Sequence, residues 1–385
     1  MSIDEQTQSG TRPVKEHSGT QPHLASYFSS DYDKARQRFI DLVNRHQGEH
    51  FSYEINQRSP SGTALSIDVA RFGASSAQNL LMISSGTHGV EGFFGSAVQL
   101  ATLELKLVEI LSNPNCAVLM IHAVNPFGFA HLRRVNEENI DLNRNFMTEA
   151  DNYEGAPEQY AEMDPLLNPK SPPQSMEFFW LKAVYKIARY GFSALKSSVA
   201  QGQYEFEKGL FFGGQTASKS KEIIGTHLVD WVGEAKRVIH LDLHTGLGQW
   251  GTYVMAASSN MPDREVQWLM SHFDEDKVQS LDDKGVLYTI RGEFTYFCRS
   301  LFTTVQYYPI LVEFGTYPVL KVLNALRTEN RATHWCTADD PRLAQARLQL
   351  KETFAPADSK WQMEVVTSTL RVIDQAIHAL SSQDV

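Results

Sequence analysis

Four short strings in this chain carry side chains that can do chemistry together. The first is His88-Gly89-Val90-Glu91, an imidazole and a carboxylate three residues apart. Such a pair can reach one metal ion from a turn or from the first turn of a helix. A catalytic zinc takes three protein ligands and keeps a fourth position open for water. Gly86, Gly89 and Gly92 permit tight turns around the pair. The spacing is common by chance, so a third ligand has to come from elsewhere in the chain. His244 ends an apolar run and is followed by Thr-Gly, which suits a ligand presented at a strand end. His240 and Asp242 fall on the same strand face by alternation, so either could take its place.

Residues 125–146 bring Arg133, Arg134 and Arg144 together with several asparagines. Guanidinium groups bind carboxylates through paired hydrogen bonds and stabilise a developing oxyanion. On composition alone a solvated surface loop explains the same residues. Asp141 in this stretch can orient a ligating histidine through its far nitrogen. The fourth string is Leu-Val-Glu-Phe-Gly around Glu313. A carboxylate in an apolar strand is costly to bury unless it is paired or functional. Partial burial raises its pKa and suits it to accept a proton and return it. A structural ion pair with Arg291 or Arg331 would also account for it.

The elements that must position these residues are readable from hydrophobic patterning. Residues 79–84 and 117–124 are short apolar runs ending in loops, with a helical pattern over 93–111 between them. Residues 237–243 and 310–314 read as two more buried strands, 64–72 as an alternating strand, and 33–43 and 365–380 as helices. Strand, helix, strand predicts an α/β fold with a mixed, mainly parallel twisted sheet and helices on both faces. Ligands of open α/β sheets bind outside the carboxyl ends of the strands. His88, His244 and Glu313 all sit at or near such ends, so they can converge.

The remaining features bound the reading. Residues 1–26 are polar and are expected to be a disordered tail, and 27–385 one catalytic domain. Residues 147–176 are acidic and proline-rich and read as a surface insertion, with a helical stretch over 176–200 behind it. That insertion, with residues 208–215, is a candidate cover for the site mouth. The net charge of -10, from 45 acidic and 35 basic residues, shows no basic stripe and argues against a nucleic-acid partner. Cys116, Cys298 and Cys336 lack a disulfide spacing and read as free thiols of a reducing compartment. No apolar run reaches the roughly 20 residues of a membrane span and no signal peptide is visible, so a cytoplasmic location is expected. Oligomeric state is not encoded in these patterns.

Taken in order, SSGTHGVEGFFGS, NPFGFAHLRRVNEENIDLNRNF, LDLHTGLG and VEFGT resemble the zinc metallocarboxypeptidase superfamily. That superfamily also holds succinylglutamate desuccinylase and aspartoacylase. The likeness is nearest to the bacterial branch carrying a domain of unknown function, number 2817, and spans roughly residues 27–380. The resemblance implies one zinc ion on His88, Glu91 and His244, with Asp141 bracing the first histidine. It implies that Asn143 and Arg144 grip a substrate carboxylate, that Arg134 rather than Arg133 polarises the scissile carbonyl, and that Glu313 is the base. The family's mobile tyrosine has three candidates, Tyr288, Tyr296 and Tyr307.

The activity so implied is zinc-dependent hydrolysis of an amide bond next to a free carboxylate, on a short peptide or other small molecule. Deacylation of N-acyl amino acids uses the same groups. A non-catalytic zinc-binding protein would lack the base or the arginine, and this chain keeps candidates for both. A serine hydrolase would carry a G-x-S-x-G elbow, which does not occur here.

Overall fold

The strands around the site are largely buried on both faces, and the fold supplies the cover. A computed structural model describes residues 23–174, 179–190, 201–258, 261–280 and 290–382. The strands are β1 (Glu49–Arg58), β2 (Ala64–Phe72), β3 (Asn79–Ser85), β4 (Cys116–His122), β5 (Arg237–Trp250), β6 (Tyr253–Ala257), β7 (Val278–Ser280) and β8 (Gln306–Gly315). The first helices are α1 (Tyr32–Arg45), α2 (Gly92–Leu105), α3 (Leu107–Leu111), α4 (Pro126–His131), α5 (Tyr160–Leu167) and α6 (Phe179–Tyr190). They are followed by α7 (Lys219–Val232), α8 (Asp263–His272), α9 (Phe294–Ser300), α10 (Val319–Trp335), α11 (Pro341–Phe354) and α12 (Ser359–Ser381).

All eight strands form one sheet in the order β1-β2-β4-β3-β5-β8-β6-β7. The central strands β4, β3, β5 and β8 are parallel, while β1, β2 and β6 join antiparallel at the flanks. This is the expected mixed α/β sheet. Alternation sends successive residues to opposite faces. Leu81 and Ile83 of β3 therefore enter a core with Phe94 and Val98 of α2 and Val372 and Ile373 of α12. Leu80 and Met82 enter the opposite core with Ile224, Leu228 and Trp231 of α7. No helix among the described residues is long and apolar enough to cross a membrane.

Several boundaries differ from the sequence expectation. β1 has no counterpart in it: its apolar residues Phe51, Tyr53 and Ile55 alternate, but most of its side chains are exposed along the sheet edge. The helix over 93–111 is broken at Lys106, between α2 and α3. β5 does not end at residue 243 but runs on to Trp250, with a register break against β8 between Thr245 and Trp250. Gly246 at φ 131° and Gly248 at φ 116° supply the backbone conformations that this irregularity requires.

Of the expected tail, residues 1–22 lie outside the described residues, and Leu24–Tyr27 form a short turn whose Tyr27 is buried against Glu104. The stretch over 176–200 is described only as α6, Phe179–Tyr190. The 147–176 stretch is more than a surface loop as far as it is described, to residue 174. Tyr160, Met163, Leu166 and Leu167 of α5 are buried in a cluster with Val90, Phe211, Leu350 and Phe354.

Candidate active site

Four adjacent parallel strands build the site, β3 and β4 through the loops that follow them and β5 and β8 through residues in the strands themselves. After β3, the chain turns through His88 and forms a single helical turn over Gly89–Glu91 that leads directly into α2. That turn is clamped from below, since the amides of Gly89 and Val90 donate to the carbonyls of Arg134 and Arg133. A Cβ at Gly89 would collide with the backbone of Gly128, so only glycine allows this approach. After β4, Asn125 caps α4 by accepting from Gly128 N and donates to the Arg134 carbonyl, which fixes the arginine-bearing loop against the first motif. His244 sits on β5 paired with Glu313 on β8, so these two side chains are neighbours by register.

His88, Glu91 and His244 are all buried, and one ligand atom from each lies within 4.8 Å of the others. His88 Nδ1 is 2.9 Å from Glu91 Oε1, His244 Nδ1 is 3.0 Å from Glu91 Oε2, and the two Nδ1 atoms are 3.2 Å apart. Two imidazole nitrogens this close share at most one proton. Ligands of a tetrahedral zinc with bonds of about 2.0–2.1 Å are separated by about 3.3 Å. The donor set therefore fits a zinc-sized cation in both chemistry and spacing. On the far side, His244 Nε2 is 2.6 Å from Asp242 Oδ2, while His88 Nε2 lies 3.2 Å from Asp141 Oδ1 and 2.7 Å from Arg134 Nη2, which can only donate to it. Carboxylates behind ligating imidazoles fix the tautomer and strengthen the ligand.

The charges respond to one another. Burial works against the charged form of Glu91, but His88 and His244 hold its carboxyl below the usual range. Burial likewise opposes ionised Asp141, and Arg134 and His88 hold it well below that range. His244 is pulled down by burial and pushed well above the usual value by Asp242 and Glu91. Glu313 behaves oppositely. Burial and then the negative charge of Glu91 push its carboxyl up to about 8, against the opposing pull of His244 and the Leu247 amide. A carboxyl poised near neutrality beside a cation site is equipped to take and return a proton. Neither anticipated ion pair forms with Glu313. Arg331 donates to Ser171 and Pro172, and Arg291 to Asn152 and Glu154.

The two neighbouring arginines separate cleanly. Arg133 pairs with Glu329 at 2.8 Å, away from the ligands. Arg134 bridges Glu91 and Asp141 at 3.2 and 3.1 Å. Asn143 is buried, with Oδ1 accepting from Phe294 N, and Arg144 is fully buried, with Nη1 donating to the Asn143 carbonyl. The Phe211 ring lies between the two site arginines, 5.8 Å from the Arg134 guanidinium and 5.9 Å from that of Arg144. Residues 208–215 thus reach the site, through a buried side chain that sequence reading does not single out.

Geometry also separates the competing ligands and tyrosines. Asp242 and His240 do share the His244 strand face, yet neither is in the ligand group; Asp242 stands behind His244 and His240 lies deeper. Of the tyrosines, Tyr307 is buried and bonded to His240, which removes it as a mobile pocket residue. Tyr296 is half-buried on α9, and Tyr288 lies outside the described residues. Ser84 and Thr87, both bonded to Asp242, carry no sequence signal because their partner is set by sheet register.

Comparison with solved structures finds carboxypeptidase A from Helicoverpa armigera, at 14% identity, covering 83% of this chain and 73% of that one with a TM-score of 0.46. A provisionally assigned metallopeptidase from Shewanella amazonensis matches at 16% identity, over 85% and 94% of the two chains, with a TM-score of 0.41. Bovine thrombin-activatable fibrinolysis inhibitor, in complex with a tick carboxypeptidase inhibitor, matches at 10% identity over 90% and 99%, with a TM-score of 0.41. No curated protein matches the chain. The family described as "Protein of unknown function (DUF2817)" matches residues 28–368, nearly the whole length, and the chain belongs to that family.

Proposed function

We propose that this protein is a zinc-dependent hydrolase that cleaves an amide bond next to a free carboxylate, in the manner of a metallocarboxypeptidase. One observation carries the reading. Three buried ligand atoms converge at zinc spacing directly beside a carboxyl whose pKa is raised toward neutrality. His88, Glu91 and His244 would hold the zinc ion, which would supply Lewis acidity at the position left open by these three groups.

The chain's own groups do the rest. Glu313, next to His244 in the ladder, accepts the proton of the attacking water and passes it to the departing nitrogen. Arg134 donates to the carbonyl oxygen as that oxygen gains charge. Asn143 and Arg144 hold the substrate carboxylate, so the substrate is a short peptide or an N-acylated amino acid. Buried Phe211 narrows the space between the arginines and favours small substrates.

Zinc-loaded protein is assayed on a panel of dipeptides and N-acyl amino acids, beside Glu313→Gln. Turnover of a carboxylate-bearing amide, lost by about 10²–10⁴ in the variant with zinc retained, is the expected result. The better class of substrate separates peptidase from deacylase. Unchanged turnover in Glu313→Gln removes Glu313 from catalysis.

A further inference from the structure

Below the ligand set, a line of buried polar side chains runs through the sheet, and no step above uses it. Asp242 Oδ2 is 2.6 Å from His244 Nε2, and Asp242 Oδ1 is 2.6 Å from Ser84 Oγ. Ser84 Oγ is 2.7 Å from His240 Nε2, and His240 Nδ1 is 2.9 Å from the Tyr307 hydroxyl. Ser84, Asp242 and His240 are fully buried, and Tyr307 is nearly so. The line crosses β3, β5 and β8, with Ser84 paired directly to Asp242 in the ladder.

The order of donors along it is forced. As a carboxylate, Asp242 only accepts, and it faces Ser84, Thr87 and His244. The single hydroxyl proton of Ser84 therefore points at Asp242, and its oxygen accepts from His240 Nε2. Burial keeps His240 neutral, so its Nδ1 has a lone pair and accepts from Tyr307. At the other end, His244 donates from Nε2 to Asp242, which leaves Nδ1 facing Glu91 and His88 as the nitrogen that would bind a metal. A polar chain of this depth is costly unless every member is satisfied, and here each member has a directed partner.

We propose that Asp242 is the positioning residue of His244, locked by Ser84, His240 and Tyr307, and that this line sets the tautomer and the metal affinity of the site. Asp141 stands behind His88 as well, but there Arg134 Nη2 shares the far nitrogen at 2.7 Å, so only His244 has a carboxylate to itself. This rests on the ligand assignment above and deepens it.

The test is zinc affinity, measured by competition with a chromogenic chelator, and the cobalt(II) absorption spectrum of the substituted protein. Wild type is compared with Asp242→Asn, Ser84→Ala and Tyr307→Phe, with the melting temperature of each metal-free protein recorded. In Asp242→Asn the amide can offer its NH2 group to His244 and favour a proton on Nδ1. Its zinc dissociation constant should rise about 10–100-fold, with an altered cobalt spectrum. Ser84→Ala should raise it roughly twofold to tenfold, and the milder Tyr307→Phe less, in the same direction. If Asp242→Asn does not fold, the two other variants still decide. Wild-type binding with unchanged affinity in the variants, even where their metal-free melting temperatures fall, means a structural role only and overturns the proposal. A wild type that binds no zinc removes the ligand set and this proposal together.

Discussion

Glu313 illustrates how surroundings set the proton affinity of one side chain. On a strand exposed to water it would be an ordinary carboxylate. Buried beside Glu91 it keeps its proton to about pH 8. That shift has a measurable sign in the metal-free protein. The unfolded chain ionises this group near about pH 4.3. Between the two values the folded state binds the extra proton, so this group makes stability fall as pH rises. Glu313→Gln, neutral and nearly isosteric, should remove that component. Denaturant unfolding in EDTA from pH 5 to 8 should show a shallower loss of stability for the variant than for wild type. Parallel curves would mean that Glu313 is ionised throughout. The same scale explains what the sequence could show of the site. His88, Glu91, His244 and Glu313 are visible because each stands at or just past an apolar run. Asp242 is visible only as a rival ligand, since its partner Ser84 is fixed by the β3–β5 register, and that depends on two segments far apart in the chain.

At the level of elements, the acidic, proline-rich stretch is the clearest departure from local reading. Its composition hides Tyr160, Met163, Leu166 and Leu167, which recur on one face of α5 and bury that face against Val90 and Phe211 beside the site. Tyr160 is tied in further, its hydroxyl donating to the Leu210 carbonyl at 2.6 Å. The segment therefore helps hold residues 208–215 in place. Leu167→Ala, at a fully buried position, should destabilise the protein by about 2–5 kcal/mol in urea unfolding. A change within about 0.5 kcal/mol would mark the helix as a solvated appendage. The central strands are legible as continuous apolar runs because parallel strands are covered on both faces. β1 offers a weaker signal, a three-residue alternation of Phe51, Tyr53 and Ile55 in which only Ile55 is buried, and the expected strands do not include it.

For the whole molecule, the four central strands bring together residues that are far apart in the chain, and the metal should in turn stabilise the assembled sheet. A ligand that binds only the folded state adds about 2.7 kcal/mol when its free concentration is 100 times its dissociation constant. Zinc added to stripped wild type should raise unfolding free energy by about that amount under those conditions, and His244→Ala should show no gain. An equal gain in the variant would place the zinc elsewhere. Two apolar cores on opposite faces of the sheet do not include the three ligand residues, so the stripped protein should remain folded.

The most direct measurement is the metal content of purified protein by mass spectrometry, for wild type beside His88→Ala and His244→Ala. About one zinc per chain in wild type, lost in both variants, is the expected result. No zinc in wild type after reconstitution, or zinc retained in both variants, would contradict the assignment of His88, Glu91 and His244 and the hydrolase built on it.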